Sequence, residues 1–169
     1  MKSFRIITLC ALFLGMSWHL ANAATQGETS PDCTLNALNN ASRYDLQQFR
    51  GKVVYVDFWA SWCAPCAKSF PFLNSVYKKY QARGLQVLAI NMDEQPELAK
   101  DFLSKYPAEF PIATDLVGQC AESFAVEAMP SSYVIDKKGI IRHVHFGFRP
   151  DEAEKLHGLL EQLLAESSN

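Results

Sequence analysis

From Val53 to Trp59 the chain runs Val-Val-Tyr-Val-Asp-Phe-Trp, β-branched or aromatic at every position but one, and Cys63-Ala64-Pro65-Cys66 follows after a short gap. A run that is apolar at odd and even positions alike has no solvent face to offer, so it reads as a central strand covered on both sides. Downstream, Phe70, Leu73, Val76, Tyr77 and Tyr80 recur at helical spacing. The two thiols therefore fall where a strand gives way to a helix. Unpaired backbone N–H groups at the helix start, together with its dipole, favour a thiolate over a thiol, and Cys63 is the sulfur placed to benefit.

Other readings of the motif meet obstacles in its surroundings. Covalent haem attachment needs His directly after the second Cys, and residue 67 is Ala. A structural zinc site needs a second ligand pair, whereas Cys33 and Cys120 are single and far apart. Two unrelated buried cysteines give no reason for Pro65 between them, nor for the strand before and helix after. Redox chemistry fits all of these features. Asp57 is the one acid in the apolar run, where an unpaired carboxylate is seldom buried by chance. Desolvation there raises its pKa and suits it to accept a proton from Cys66; the alternative is a structural Asp with satisfied hydrogen bonds.

The 169 residues, 49% hydrophobic and 20% charged, suit one globular domain. The N-terminus reads separately. Lys2 and Arg5 precede an apolar run from Ile6 to Leu14, and Ala21-Asn22-Ala23 offers a small-x-small cleavage site, so residues 1–23 are expected to be a signal peptide cut after Ala23. The run is too short and polar-interrupted to span a bilayer. A lipid anchor through Cys10 fits less well, since bulky Leu9 precedes it and apolar sequence continues beyond. The expected location is the periplasm or another extracytoplasmic compartment, soluble after cleavage and without stable membrane insertion. Cleavage removes two bases and no acid, taking the net charge from −2 to −4, which makes nucleic acid an unsuitable partner. Disulfides persist outside the cytosol, so a working dithiol there implies a dedicated electron source.

Residues 24–30 read as a flexible polar lead-in and 31–169 as the folded domain. A short strand is expected at Pro31–Leu35, a second short element at Arg43–Phe49, and the long helix from about Ala64 to Ala82, kinked at Pro71. A strand over Gln86–Asn91, a helix between Pro96 and Pro107 and a brief strand at Phe110–Ala113 follow. Ser132–Asp136 and Ile140–Phe146 flank Lys137-Lys138-Gly139 as a hairpin, and Leu156, Leu159, Leu160, Leu163 and Leu164 mark an amphipathic terminal helix. This alternation predicts an α/β domain with a central mixed β-sheet flanked by helices on both faces.

Pro31-Asp32-x-Thr-Leu, Trp62-Cys63-x-Pro65-Cys66, Pro71, the extra helix and strand between Val87 and Ala113, and Met129-Pro130 before a strand together resemble the thioredoxin superfamily. The likeness is to its exported TlpA/ResA/DsbE-like thiol-disulfide oxidoreductases, and it spans roughly Pro31 to Leu164. It implies a thioredoxin-like fold in which Cys63 and Cys66 form a redox-active disulfide, with no other cofactor and no metal. Pro130 is then a cis-proline facing the thiols, where the residues alone would also allow an ordinary trans-proline entering a strand, and Trp62, Met129 and Pro130 contact substrate. Pro65 shapes the turn, and Trp62 and Trp59 wall the site with apolar surface; the alternative for either Trp is plain core packing. Asp57 matches the acid that thioredoxin-like proteins carry at this place. The implied partners are client proteins with disulfides or thiols, in cytochrome c maturation or metal-site assembly, and a membrane electron-donor protein. The implied direction is client reduction; a disulfide oxidant or isomerase is the alternative.

The sequence departs from that pattern in places. Ser69 stands where ResA-like members often place Glu, Ser131-Ser132-Tyr133 where two threonines and Phe are frequent, and Cys33 where an aromatic is usual. Cys33 and Cys120 are either a structural disulfide or two buried free thiols filling apolar slots. His143 and His145 share one face of a strand and with Met129 raise copper handling, against the plainer reading of surface histidines. A metallochaperone using Cys63, Cys66 and a His is the rival from another class; a peroxidase lacks its Thr-x-x-Cys arrangement.

Overall fold

The computed structural model describes residues 24–167. Its strands are β1 (Thr34–Ala37), β2 (Arg43–Asp45), β3 (Val53–Trp59), β4 (Leu85–Asn91), β5 (Ile112–Thr114), β6 (Ser131–Ile135) and β7 (Ile141–Phe146). Its α-helices are α1 (Ala64–Tyr80), α2 (Pro96–Lys105), α3 (Gln119–Ser123) and α4 (Ala153–Ala165). All strands join one mixed sheet in the order β2-β1-β5-β4-β3-β6-β7. The fully apolar run became the centre of that sheet: β3 is buried along its whole length, pairs parallel with β4 and antiparallel with β6. Helices lie on both faces, giving the thioredoxin-like α/β arrangement expected.

Alternation along β3 sorts its side chains between two apolar layers. Tyr55 and Trp59 face the layer built with Cys63, Cys66 and Phe70 of α1, Ala99 and Phe102 of α2, and Leu156, Leu160 and Leu163 of α4. Val54, Val56 and Phe58 face the other, which holds Leu46 and Phe49 of a short 3-10 turn, Cys120 and Ala121 of α3, and Phe124. Asp57, two residues from Tyr55 and from Trp59, therefore lies on the dithiol's side of the sheet. Pro71 sits inside α1, yet the helix continues to Tyr80.

Two expectations need correction, and one helix was not foreseen. The lead-in over 24–30 is not loose: Gly27 N–H donates to Ile141 O (2.8 Å), Ile141 N–H to Glu28 O (2.8 Å), Ser30 N–H to Gly139 O (2.9 Å), and Ala24 is buried. The free edge of β7 offers unpaired backbone groups, and this segment takes them up. The brief fifth strand is shifted to Ile112–Thr114, paired parallel with β4. Helix α3 was not anticipated, being five residues long with no apolar period to reveal it. The expected leader over residues 1–23 lies outside the described residues, among which no helix is long and apolar enough to cross a membrane.

Candidate functional site

The parallel strands β3, β4 and β5 end level with one another, Trp59 opposite Asn91 and Asn91 opposite Thr114. Strand β6 runs the other way, with Ser131 opposite Phe58. The turn after β3, the turn after β4 and the start of β6 thus share one edge of the sheet. Cys63, Asp93 and Pro130 are brought together there by topology.

Cys63 is the N-cap of α1, and its sulfur accepts a hydrogen bond from Cys66 N–H at 3.2 Å. Pro65 occupies the first turn, where a missing N–H costs nothing and its fixed φ suits the helix. Cys63 and Cys66 are joined as a disulfide with S–S 2.05 Å. Cys63 is 4% exposed and Cys66 wholly buried, so the first cysteine is the less enclosed of the two. An anion on Cys63 at this position would meet both the N–H of Cys66 and the positive end of the helix dipole. Ser69, one turn further, donates its hydroxyl to Cys66 O at 3.0 Å and supplies no acid.

Asp57 is 1% exposed. Ser132 Oγ donates to its Oδ1 at 2.6 Å, while Oδ2 is buried without a partner among the described residues. Burial pushes the carboxyl up to about 7, opposed in part by the Ser132 hydrogen bond. A carboxyl in that range changes its protonation near neutrality. Its charge in turn adds to the burial that raises the Tyr55 phenol. Ser132 is a site residue that sequence reasoning passed over as a mild change; its place opposite Asp57 across the β3–β6 ladder makes it the carboxylate's one donor among the described residues.

A second buried acid was also missed. Asp93 accepts from Ser61 N–H (3.0 Å to Oδ2), from Ser61 Oγ (2.9 Å to Oδ1) and from Asn91 Nδ2 (2.7 Å). Ser61 lies two residues before Cys63, so this carboxylate fastens the active-site turn to the end of β4. No sequence period links Ser61 to Asp93.

The aromatic pair divides. Trp59 is wholly buried, 5.0 Å from the Phe70 ring and 4.8 Å from that of Phe102, and belongs to the core rather than to a site wall. Trp62 is 71% exposed. The Met129-Pro130 peptide is cis, and Met129 packs against the apolar layer that contains both cysteines.

Cys33 and Cys120 are bonded to each other, so they are not free thiols. The histidines are not simple surface residues either. His145 is buried, its Nε2 lies 3.2 Å from Glu152 Oε2, and its ring stacks on His143 at 6.1 Å. Burial and the neighbouring His145 hold His143 below its ordinary pKa. Among the described residues no group of three or more His, Cys, Asp or Glu side chains is arranged to hold a metal ion.

Comparison with known proteins gives a consistent family. The Redoxin family model matches residues 25–163. The thiol-disulfide oxidoreductase ResA of Bacillus thuringiensis subsp. konkukian is 34% identical over 113 residues, 67% of this chain and 65% of that protein. The chain thus spans a little under two thirds of that relative's length. ResA of Geobacillus thermodenitrificans is 33% identical over 135 residues, 80% of this chain and 77% of the relative. Among solved structures, a candidate thiol:disulfide interchange protein DsbE from Chlorobium tepidum superposes with TM-score 0.80 at 40% identity, covering 85% of this chain and all of that one.

Proposed function

The chain belongs to the redoxin family, and from that membership we propose that it is a thiol-disulfide oxidoreductase acting on client proteins through Cys63 and Cys66. The observation that carries the reading is the Cys63 sulfur at a helix N-cap, hydrogen-bonded to Cys66 N–H, on the less enclosed of the two bonded cysteines. In the reduced protein the Cys63 thiolate attacks one sulfur of a client disulfide, forming a mixed disulfide and releasing the other client sulfur as a thiolate. The Cys66 thiol gives its proton to Asp57 and its sulfur displaces the client from Cys63. The second client sulfur leaves, the client has gained two electrons, and the protein is left with the Cys63–Cys66 disulfide. Trp62, Met129 and Pro130 border the client, whose extended backbone pairs beside Met129.

The reading extends to direction and setting. The protein reduces its clients, of the kind met in cytochrome c maturation or metal-site assembly, outside the cytoplasm, and a membrane electron-donor protein restores the dithiol. The basic-then-apolar start of the chain supports export. Potentials within this chemistry span about 150 mV, roughly 7 kcal/mol for two electrons, so a measured potential decides the direction. A value near that of thioredoxin supports the reductant; one near about −120 mV reassigns the protein as an oxidant.

The test is trapping. Cys66→Ala should accumulate a mixed disulfide between Cys63 and clients in the cell envelope. The Cys63 thiol should alkylate with a midpoint about one unit or more below the free-thiol value of about 8.5. No trapped client and a thiol still protonated above pH 8.5 would overturn the proposal.

A further inference from the structure

A groove of about 370 Å³ opens directly beside Cys63, between the active-site turn and α2. Leu98 and Phe102 of α2 and Tyr106, the residue that caps its C-terminus, stand at four-residue spacing along one side of the groove, with Asp101 and Lys105 beside them. The facing wall is small: Ala64 and Ala67 of α1 flank the sulfur, and a longer side chain at Ala67 would fill the space. Among the described residues six large hydrophobic side chains are exposed, and three of them, Trp62, Leu98 and Tyr106, line this one groove. An apolar concentration beside a reactive sulfur has a use that scattered surface hydrophobics lack.

We propose that this groove seats the client segment next to the cysteine under attack, and that it selects clients whose disulfide cysteine has a bulky apolar side chain within about four residues. The proposal rests on the oxidoreductase reading above and adds the client's recognition chemistry to it. Three features commit the groove to an extended polypeptide. Cys63 is part of its wall, so the chain on either side of a disulfide under attack by that sulfur passes beside the groove. The stretch from Leu98 to Tyr106, helical as far as Lys105, spans about 12 Å, the length of three to four extended residues. Asp101 and Lys105 have no ion-pair partner among the described residues and sit one turn apart, so the groove carries a charge of each sign beside its apolar stripe. A peptide can answer both charges, whereas a plain acyl chain answers neither.

The probes are peptide homodimers held by a single disulfide, so that either sulfur attacked is the same. One series has only Gly and Ser around the cysteine; the other carries Leu or Phe two to four residues away. The reduced full chain is mixed with each, and kcat/KM is read from released thiol. The ratio between the two series cancels any general change in thiol reactivity. The expected preference for the apolar series is about tenfold, the usual size of apolar-pocket discrimination. Ala67→Leu, which fills the groove, and the double variant Leu98→Ser/Tyr106→Ser, which strips its far wall, should each bring the ratio to within about twofold of one.

A wild-type ratio near one, or a preference that survives both variants, overturns the docking proposal and leaves the oxidoreductase reading standing. No thiol release from either series overturns both. Sedimentation showing a dimer that Ala67→Leu dissociates assigns the groove to a second copy of the chain and also overturns the proposal.

Discussion

The two disulfides of this protein have similar surroundings and opposite consequences. Both are buried and both join a strand-proximal cysteine to one on a helix, yet Cys33–Cys120 links residues 87 apart in sequence and Cys63–Cys66 residues 3 apart. Loop-closure entropy makes the long link worth about 4.6 kcal/mol and the short one about 1.9 kcal/mol by the same relation. The long bond ties the entry of β1 to α3, a five-residue helix too short to hold itself. The short bond spans the first turn of a helix that β3 and its apolar layer already position. A bond that is to open and close must not be the thing that holds its own ends in place.

The largest test of that contrast is Cys63→Ser. It should remove disulfide exchange altogether while costing less than about 2 kcal/mol in denaturant unfolding, because so little chain entropy is at stake. Next comes the double variant Cys33→Ala/Cys120→Ala, expected to lose about 4 to 5 kcal/mol of stability while keeping exchange activity below its lowered melting point. Exchange lost with stability intact in that double variant would invert the roles assigned to the two bonds.

The sequence made one side of this contrast easy to read and the other hard. Cys63-Ala64-Pro65-Cys66 is local, and the strand before it and helix after it announce themselves by period, so the residues alone mark the junction and its chemistry. Cys33 and Cys120 could not be paired, because nothing along the chain tells which distant residues the sheet order β1-β5-β4 will draw together. The same holds for Ser132 beneath Asp57 and for Asp93 above Ser61, contacts made across 75 and 32 residues of sequence. The strand period could be read for Asp57's face; its donor required the register. Residues 24–30 misled for a related reason, since a polar segment that pairs with a sheet edge through its backbone leaves no mark in its side chains.

Asp57 gives a test of intermediate size. Its carboxyl is pushed from the usual 3.8 up to about 7 by burial, so between those values the folded protein holds a proton that the unfolded chain has lost. Stability is full below pH 3.8 and falls as pH rises through 7, by about 4 kcal/mol in all. Asp57→Asn should abolish that fall, seen as a flatter stability curve from pH 4 to pH 7.5. It should also slow resolution of the mixed disulfide by about a hundredfold and flatten its pH dependence near neutrality, the range expected for loss of a general base. An unchanged resolution rate alongside the flattened stability curve would reduce Asp57 to a structural acid.

The smallest effect concerns what holds the active-site turn once its disulfide is open. Ser61 N–H and Oγ both donate to Asp93, and none of these bonds involves sulfur. Removing one neutral-to-charged hydrogen bond with Ser61→Ala should cost about 1.5 kcal/mol in unfolding, since Asp93 keeps the Ser61 position's backbone donor and Asn91. Hydrogen exchange separates the clamp from the disulfide more directly. The amide of residue 61 should stay protected when Cys63–Cys66 is reduced and in Ser61→Ala, and should lose protection in Asp93→Ala. Reduction of Cys33–Cys120, in contrast, should release the amides of α3. Protection at residue 61 that vanishes on opening Cys63–Cys66 would mean that the short disulfide braces its own turn, and the division of labour between the two bonds would fail at its most sensitive point.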